Sequence, residues 1–201
     1  RPITNTEKQV TRKKYTSGFD YFIFVGALSH RKNVANLLLA FDRFKSQTFS
    51  MAKLLIVGEK MFKTRKMKAV YTQMNFKNDV IFAGRMSPEE LKYLYGSAIA
   101  LTFVPYFEGF GIPIIEAMNC GTPVITSNVT SMPEIAGDAA LLVDPFSVES
   151  ISDAMIRIYA DDQLRDELTQ KGSALCQKYS WEKTAEKFWE SIEKVASSSK
   201  Q

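Results

Sequence analysis

The chain has 201 residues, of which 45% are hydrophobic and 24% charged, and its formal net charge is +4. This length can bury a full hydrophobic core, no apolar run approaches the roughly 18 residues of a membrane span, and the small net charge does not indicate a nucleic-acid partner. The single histidine excludes a metal site built from several histidines of this chain, and two widely spaced cysteines indicate free thiols in a reducing, cytoplasmic compartment.

Residues 1–18 are mainly polar and are predicted to form an N-terminal arm. Short apolar runs then alternate with amphipathic helical patterns, and near-continuous apolar runs are typical of strands buried on both faces of a parallel sheet. The six predicted strands are Tyr21–Leu28, Lys53–Gly58, Val80–Gly84, Ile99–Pro105, Pro123–Ser127 and Ala140–Pro145. The alternation predicts a doubly wound, six-stranded parallel α/β sheet over residues 19–196, with a frayed tail at 197–201.

A basic segment and two helix starts stand out between and after these strands. Residues 60–77 contain six basic residues and no acidic one, which predicts either a solvated helix face or a surface for an anionic ligand or a membrane. Ser87 with Glu90 predicts a capped helix start, and Ser180 precedes a last helix. The last helix carries an apolar stripe of Trp181, Ala185, Phe188, Trp189 and Ile192.

In an open parallel sheet, ligands bind outside the carboxyl ends of the strands. The first loop at this edge contains Gly26, followed by Arg31 and Lys32 directly before a helical pattern. Adjacent cations at a helix N-terminus favour an anion, although a solvated pair in a turn explains the same residues. The P-loop pattern of glycines and lysine does not occur in the chain.

The loop after the fourth strand contains two glycines between two carboxylates, Glu108 and Glu116. Gly109 and Gly111 permit a close approach of the backbone to a ligand, and Pro113 suits the first turn of a helix. The third glycine of the dinucleotide-binding fingerprint is missing. Both features also have a structural explanation. The glycines could form a tight turn between strand and helix, and Glu116 could be a carboxylate of the first helical turn that the helix dipole favours.

Residues 108–118, followed by 121–125, resemble the Glu-x7-Glu signature of retaining glycosyltransferases of family 4, also called glycosyl transferases group 1, which have the GT-B fold. The resemblance extends over roughly residues 20–192. Matching segments outside the signature are Phe24–Gly26, Arg31–Asn33, Leu55–Gly58, Val80–Gly84, Leu91–Tyr95, Met132–Leu141 and Tyr179–Trp181.

The resemblance implies transfer of a sugar from a UDP- or GDP-linked donor to a glycan, lipid-linked or polysaccharide acceptor, with retention of configuration and without a cofactor or metal. It implies a Rossmann-like, donor-binding C-terminal half of a GT-B enzyme. Because the chain starts at Arg1, we expect that the N-terminal acceptor domain is missing and that the isolated chain transfers no sugar. The Arg-Lys-Asn loop resembles mannosyltransferases and favours GDP-mannose.

The resemblance also implies the roles of individual residues. Lys32 would hold the diphosphate with help from Arg31, Glu108 would contact hydroxyls of the donor sugar, and Glu116 would bind the ribose hydroxyls. Many members carry Arg where this chain has Ala27, and Arg31 is expected to supply that charge. The other expected donor-binding residues are Gly26, Gly109, Phe110, Gly111 and Ile112, with Arg85 and Met86 at the base pocket.

Two alternatives stay open at this point. One is another enzyme of GT-B type, such as a nucleotide-sugar epimerase, for which His30 is the only histidine available as an acid or base. The other is a nucleotide-binding module without catalysis. For the basic segment we keep peripheral contact with the inner face of a membrane as a hypothesis, and we expect Lys63, Arg65, Lys66 and Lys68 to be exposed.

Overall fold

The computed structural model describes residues 3–59 and 65–198, in which six strands form one parallel sheet in the order β3-β2-β1-β4-β5-β6. The strands are β1 (Tyr21–Val25), β2 (Lys53–Val57), β3 (Val80–Gly84), β4 (Ala100–Phe103), β5 (Val124–Ser127) and β6 (Ala140–Val143). Every residue of β1, β4 and β5 is buried, as the apolar runs predicted. The predicted doubly wound, six-stranded parallel α/β sheet is confirmed.

Most strands end earlier than their apolar runs because the chain turns out of the sheet at its carboxyl edge. Gly26 and Gly58 directly follow β1 and β2, with φ of +150° and +141°, a region that favours glycine. A Cβ atom on Gly58 would lie 2.0 Å from the carbonyl oxygen of Gly26. The two loops therefore approach each other more closely than any side chain at Gly58 would allow.

Most of the described helices pack against one another in two sets, and the two sets are also in contact with each other. The described helices are α1 (Asn5–Thr16), α2 (Val34–Thr48), α3 (Arg65–Gln73), α4 (Pro88–Ser97), α5 (Ile112–Asn119), α6 (Met132–Ala136), α7 (Val148–Ala160), α8 (Asp162–Cys176) and α9 (Trp181–Ser198). Helix α2 contacts α3 and α7, whereas α4 contacts α1 and α5, and α5 contacts α6 and α8. Right-handed crossovers place helices on both faces of such a sheet.

The expected polar arm at 1–18 contains a helix that the sequence reasoning did not predict. Thr4 and Glu7 form a reciprocal capping box at the start of α1, and the pattern of Thr followed three residues later by Glu was the signal for it. Arg12 Nε donates to the Ser97 carbonyl at 3.0 Å, and Tyr15 Oη donates to Glu90 at 2.8 Å. These bonds attach α1 to α4. The expected division of the chain at residues 18 and 196 stays a prediction.

The last helix starts where it was predicted, with Ser180 Oγ accepting from the Lys183 N–H at 3.1 Å. Its apolar stripe is exposed to solvent, with 78% of Trp181 and 68% of Phe188 accessible. The helix continues through residues 197 and 198, which were expected in a frayed tail, and residues 199–201 lie outside the described part of the chain.

Three of the four basic residues singled out near α3 are exposed, as predicted: Arg65, Lys66 and Lys68. Lys63 lies outside the described residues. Among the residues that the structure describes, no helix combines the length and the apolar character that a membrane crossing requires.

Candidate functional site

The strand order creates a crevice at the carboxyl edge of the sheet. From β1 the chain continues to β2 and β3 on one side, whereas β4 is followed by β5 and β6 on the other. The chain therefore leaves β1 and β4 towards opposite sides of the sheet, and the strand order reverses between these two strands. Ligands of doubly wound folds bind at the point where the strand order reverses. The Tyr106 N–H donates to the Arg31 carbonyl at 3.0 Å and joins the two loops at this point.

Three predicted residues, from the two loops after β1 and β4, converge in this crevice. Lys32 Nζ lies 2.6 Å from Glu108 Oε1, and the Arg31 guanidinium pairs with the same carboxylate oxygen. Arg31 also donates to the Phe107 carbonyl at 3.1 Å. The side chains of Lys32 and Glu108 are only 12% and 11% exposed, compared with 49% for Arg31. The pair of Lys32 and Glu108 is therefore partly desolvated, while Arg31 lies at its solvent side.

Local backbone geometry directs Lys32 into the crevice. His30–Lys32 form a single 3-10 turn, and Asn33 with φ of +58° starts α2. The Lys32 ammonium lies 4.6 Å from the centre of the Phe103 ring. A Cβ atom on Gly26 would lie 3.6 Å from Lys32 Cε. Gly26 therefore lies directly beside the lysine stem, and its expected role in the site stays a prediction.

Two polar residues that the sequence analysis did not single out hold the loops in place. Asn33 is buried, and its Nδ2 donates to the carbonyls of Val104 and Pro145 at 2.9 and 2.7 Å, so that it links the loops after β4 and β6. Ser131 Oγ donates to the Glu108 carbonyl at 2.8 Å. The Arg-Lys-Asn motif contains Asn33 and was a sequence signal for it, whereas no local sequence pattern pointed to Ser131.

The glycine loop before α5 is open at Gly109, as expected, but Gly111 is buried, which was not expected. A Cβ atom on Gly109 would meet no other atom within 4 Å, whereas one on Gly111, where φ is +95°, would lie 2.8 Å from Met132 Cε. Phe110 and Ile112 are exposed beside them. Pro113 lies in the first turn of α5, as predicted. The loop therefore offers main-chain groups and apolar surface to a ligand.

Glu116 lies in a second cluster, one helical turn further along. Helix α5 starts at Ile112, so Glu116 is its fifth residue, and the first turn contains no acidic residue. The dipole effect is concentrated in the first turn and does not account for this carboxylate. Glu116 Oε2 accepts a hydrogen bond from Tyr95 Oη at 2.9 Å, and burial together with the charge of Glu116 raises the pKa of Tyr95 well above its ordinary value.

An open groove of about 580 Å³ lies between α5 and the start of α9. Glu116 lines this groove together with Phe110, Ile112, Tyr179 and Trp181. A carboxylate at the wall of a groove with aromatic and aliphatic surface is suited to a ligand that has both hydroxyl groups and a flat ring.

The two residues expected at the base pocket follow β3 at the same edge of the sheet. The Gly58 N–H donates to the Gly84 carbonyl at 2.8 Å, so the ends of β2 and β3 lie side by side. Arg85 is exposed, and Met86 is half-buried with its sulfur 4.0 Å from Tyr15 Oη. Strand β3 is two strands from β1, about 10 Å away. The structure shows no contact between these residues and the Lys32 cluster, and their role stays a prediction.

Within residues 3–59 and 65–198, no group of three or more histidine, cysteine, aspartate or glutamate side chains is arranged to hold a metal ion. The polar groups of the crevice are a carboxylate, two cations and main-chain amides, a set suited to a ligand that carries both anionic and hydroxyl groups.

A family model and a curated protein both match this chain. A family model described as glycosyl transferases group 1 matches residues 5–174. The O-antigen chain mannosyltransferase B of Escherichia coli is 35% identical over 162 residues, which are 81% of this chain and 42% of that protein.

Two solved structures share the fold. The C-terminal domain of a glycosyl transferase group 1 family protein (LpcC) from Francisella tularensis has a TM-score of 0.76 and 23% identity, covering 88% of this chain and 93% of that one. Anabaena Alr3699/HepE in complex with UDP and glucose has a TM-score of 0.85 and 17% identity, covering 96% and 53%. The chain thus spans less than half the length of the curated relative and about half of the Anabaena protein.

Proposed function

The chain belongs to the glycosyl transferases group 1 family, and from this premise we propose that it is the C-terminal, donor-binding half of a retaining glycosyltransferase of the GT-B type. The observation that carries the proposal is the convergence of Arg31 and Lys32 on Glu108 at the reversal of the strand order. Cations and a carboxylate at one point suit a sugar diphosphate, which offers anionic oxygens and hydroxyl groups next to each other.

In the proposed mechanism, the two cations act on the leaving group. When the bond between the sugar and the diphosphate breaks, negative charge develops on the departing diphosphate oxygen. Lys32 and Arg31 would stabilise that charge, and because Glu108 already orients them, little reorganisation is needed at the moment of reaction. Retention means that the acceptor hydroxyl forms its bond to the sugar on the face from which the diphosphate leaves, and the proton of that hydroxyl would pass to the departing diphosphate oxygen.

Glu108 would hold the donor sugar rather than the nucleotide. Its main chain is fixed by Ser131 and its carboxylate by Lys32, and the carboxylate so held would accept hydrogen bonds from sugar hydroxyls. Gly109 would let the backbone of the loop approach the same sugar, and the left-handed turn at Gly111 would lead the chain from there into α5. Orientation of this kind can lower a barrier by roughly 7–11 kcal/mol when both substrates are positioned.

The nucleotide would extend from the diphosphate towards Glu116, with its ribose hydroxyls on that carboxylate and its base near Arg85 and Met86. The donor would be UDP- or GDP-linked. The UDP bound by the Anabaena protein supports a nucleotide at this fold, and the similarity to an O-antigen mannosyltransferase supports mannose as the sugar and a polysaccharide as the acceptor.

The acceptor would bind to an N-terminal half that lies outside this chain. The chain covers 42% of the related mannosyltransferase, and it would supply one wall of the cleft in which transfer takes place. The two alternatives, an epimerase and a module without catalysis, are not favoured, because the family model and the curated relative are both glycosyltransferases.

Titration of the 201-residue chain with UDP, GDP and ADP by calorimetry tests this proposal. We expect binding of UDP or GDP, tighter than that of the corresponding nucleoside, and no sugar transfer to any acceptor by this chain alone. If the chain binds none of the three diphosphates, the donor-binding role is contradicted. If the chain alone transfers sugar efficiently, the need for a second half is contradicted.

A further inference from the structure

Tyr95 is a core residue that reaches a candidate ligand-binding carboxylate. It lies on α4 and is 1% exposed, yet its hydroxyl group donates to Glu116 Oε2 on the neighbouring helix α5 at 2.9 Å. The phenol ring therefore connects the rigid interior of the protein to the wall of the groove.

The main chain around Tyr95 is fixed on two sides. Thr122 Oγ1, which follows α5, donates to the Tyr95 carbonyl at 2.7 Å. Tyr21 Oη on β1 donates to the carbonyl of the preceding residue, Leu94, at 2.6 Å. Helix α4 is thereby attached both to the central strand and to the end of α5, so the Tyr95 hydroxyl has a fixed position relative to Glu116.

The hydrogen bond has a fixed direction as well. Burial and the nearby Glu116 charge raise the pKa of Tyr95, so the phenol keeps its proton and acts as the donor. Glu116 Oε2 is then engaged on the protein side, and Oε1 is the oxygen left for a ligand in the groove that Glu116 lines. A carboxylate held by a buried donor loses less rotational freedom on binding than a free one.

We propose that Tyr95 is a positioning residue, which holds the Glu116 carboxylate in the orientation that accepts hydrogen bonds from the ribose hydroxyls of the donor nucleotide. This inference rests on the proposed ribose-binding role of Glu116. Tyr95 itself touches no ligand, and its contribution to binding is made entirely through Glu116.

The test compares Tyr95→Phe with Tyr21→Phe. Each variant removes one buried hydroxyl that bonds to the α4–α5 region, but Tyr21 donates to a main-chain carbonyl and does not contact Glu116. For UDP or GDP, whichever binds the wild type more tightly, we expect Tyr95→Phe to raise Kd by about 3- to 10-fold, the range of one hydrogen bond. We expect Tyr21→Phe to raise Kd less than Tyr95→Phe does, because it loosens α4 but leaves the bond from Tyr95 to Glu116 in place, and we expect neither variant to change the affinity for inorganic pyrophosphate.

A double variant separates action through Glu116 from a general loss of structure. If Tyr95 acts only by positioning Glu116, Tyr95→Phe combined with Glu116→Gln should bind no more weakly than Glu116→Gln alone. The inference is overturned if Tyr95→Phe binds the nucleoside diphosphate as tightly as the wild type does, or if its effect on Kd adds in full to that of Glu116→Gln. It is also overturned if Tyr95→Phe weakens the binding of pyrophosphate as much as that of the nucleoside diphosphate. If Glu116→Gln alone leaves nucleotide affinity intact, the ribose role of Glu116 fails, and this inference fails with it.

A measurement on the wild-type chain does not depend on the folding of any variant. The buried Tyr95 hydroxyl proton should exchange slowly enough to be followed by NMR. We expect UDP or GDP to shift its resonance and inorganic pyrophosphate to leave it in place, because only the nucleotide carries a ribose. An unshifted resonance at saturating nucleotide would overturn the inference.

Discussion

Lys32 Nζ lies 2.6 Å from Glu108 Oε1, so the residue expected to hold the diphosphate and the residue expected to hold the donor sugar contact each other. In the absence of donor the carboxylate serves as the counterion of Lys32 and of Arg31. An incoming diphosphate would bring new negative charge to the same two cations, and the affinity for it must depend on all three residues.

Replacing the lysine should weaken diphosphate binding selectively. We expect Lys32→Ala to raise the Kd of the nucleoside diphosphate roughly 10- to 100-fold, since a charge-assisted hydrogen bond is lost, and to leave nucleoside affinity almost unchanged. Lys171→Ala is the matched control, because Lys171 pairs with Glu167 and Asp138 on another part of the surface. Calorimetry that found equal losses for nucleoside and nucleoside diphosphate would rule out the assigned role.

Removing the charge of Glu108 should have the opposite effect on the same ligand. Glu108→Gln relieves repulsion between its carboxylate and the diphosphate and frees the two cations, so we expect about threefold tighter binding of UDP or GDP. In an enzyme that contains both halves, the same change should depress sugar transfer, because the donor sugar loses its acceptor group. Weaker binding of the diphosphate in Glu108→Gln would show that Glu108 does not act as the counterion.

Stability should depend on a cluster of charged residues at the amino end of β2, at the edge of the sheet opposite the candidate site. Lys45 is buried on α2, and its ammonium lies 2.7 Å from Asp79 Oδ2, while Lys53 contacts the other oxygen. Partial burial alone would raise the pKa of Asp79, but the bonds from Lys45 and Lys53 outweigh it and lower that pKa. The carboxylate therefore stabilises the fold above about pH 4, and this contribution is lost as the pH falls through the lowered pKa.

We expect Asp79→Asn to reduce the free energy of unfolding by about 3 kcal/mol at pH 7, because the buried ammonium of Lys45 would lose its carboxylate partner and keep the bond to the neutral Ala52 carbonyl. At pH 2 the difference from wild type should be smaller than at pH 7, because a falling pH protonates the Asp79 carboxylate. Asp138→Asn, at an exposed pair, is the control and should cost less than about 1 kcal/mol. Urea unfolding at both pH values provides the measurement, and a difference that does not shrink on acidification would argue against this account.

The exposed basic side chains of α3 lead to a prediction about binding to lipid membranes. If Arg65, Lys66 and Lys68 contact an anionic membrane, the chain should bind vesicles that contain anionic lipid, and both 0.5 M salt and reversal of the three charges to Glu should abolish binding. Vesicles of neutral lipid are the control. Binding to anionic vesicles that is insensitive to salt and to charge reversal would contradict the hypothesis.

The parts of this molecule that were predictable have local signals. Continuous apolar runs marked the strands, and the loops with Lys32 and Glu108 could be placed at one edge because all strands run parallel. Their direct contact could not be predicted, since it depends on the strand order, which places β1 beside β4. The bond from Tyr95 to Glu116 likewise depends on how α4 packs on α5. The helix α1 had a capping signal at Thr4 and Glu7, which its polar composition obscured.

The central claim is that Glu116 binds the ribose of a nucleotide at this edge of the sheet, and one comparison tests it most directly. The Kd of UDP or GDP and the melting temperature are measured for the wild-type chain and for Glu116→Gln. We predict a loss of affinity of roughly 10- to 100-fold, because hydrogen bonds from vicinal hydroxyls to a charged acceptor are weakened, together with a nearly unchanged melting temperature. A lowered melting temperature with intact nucleotide affinity would show that Glu116 is a structural residue and would contradict the assigned site.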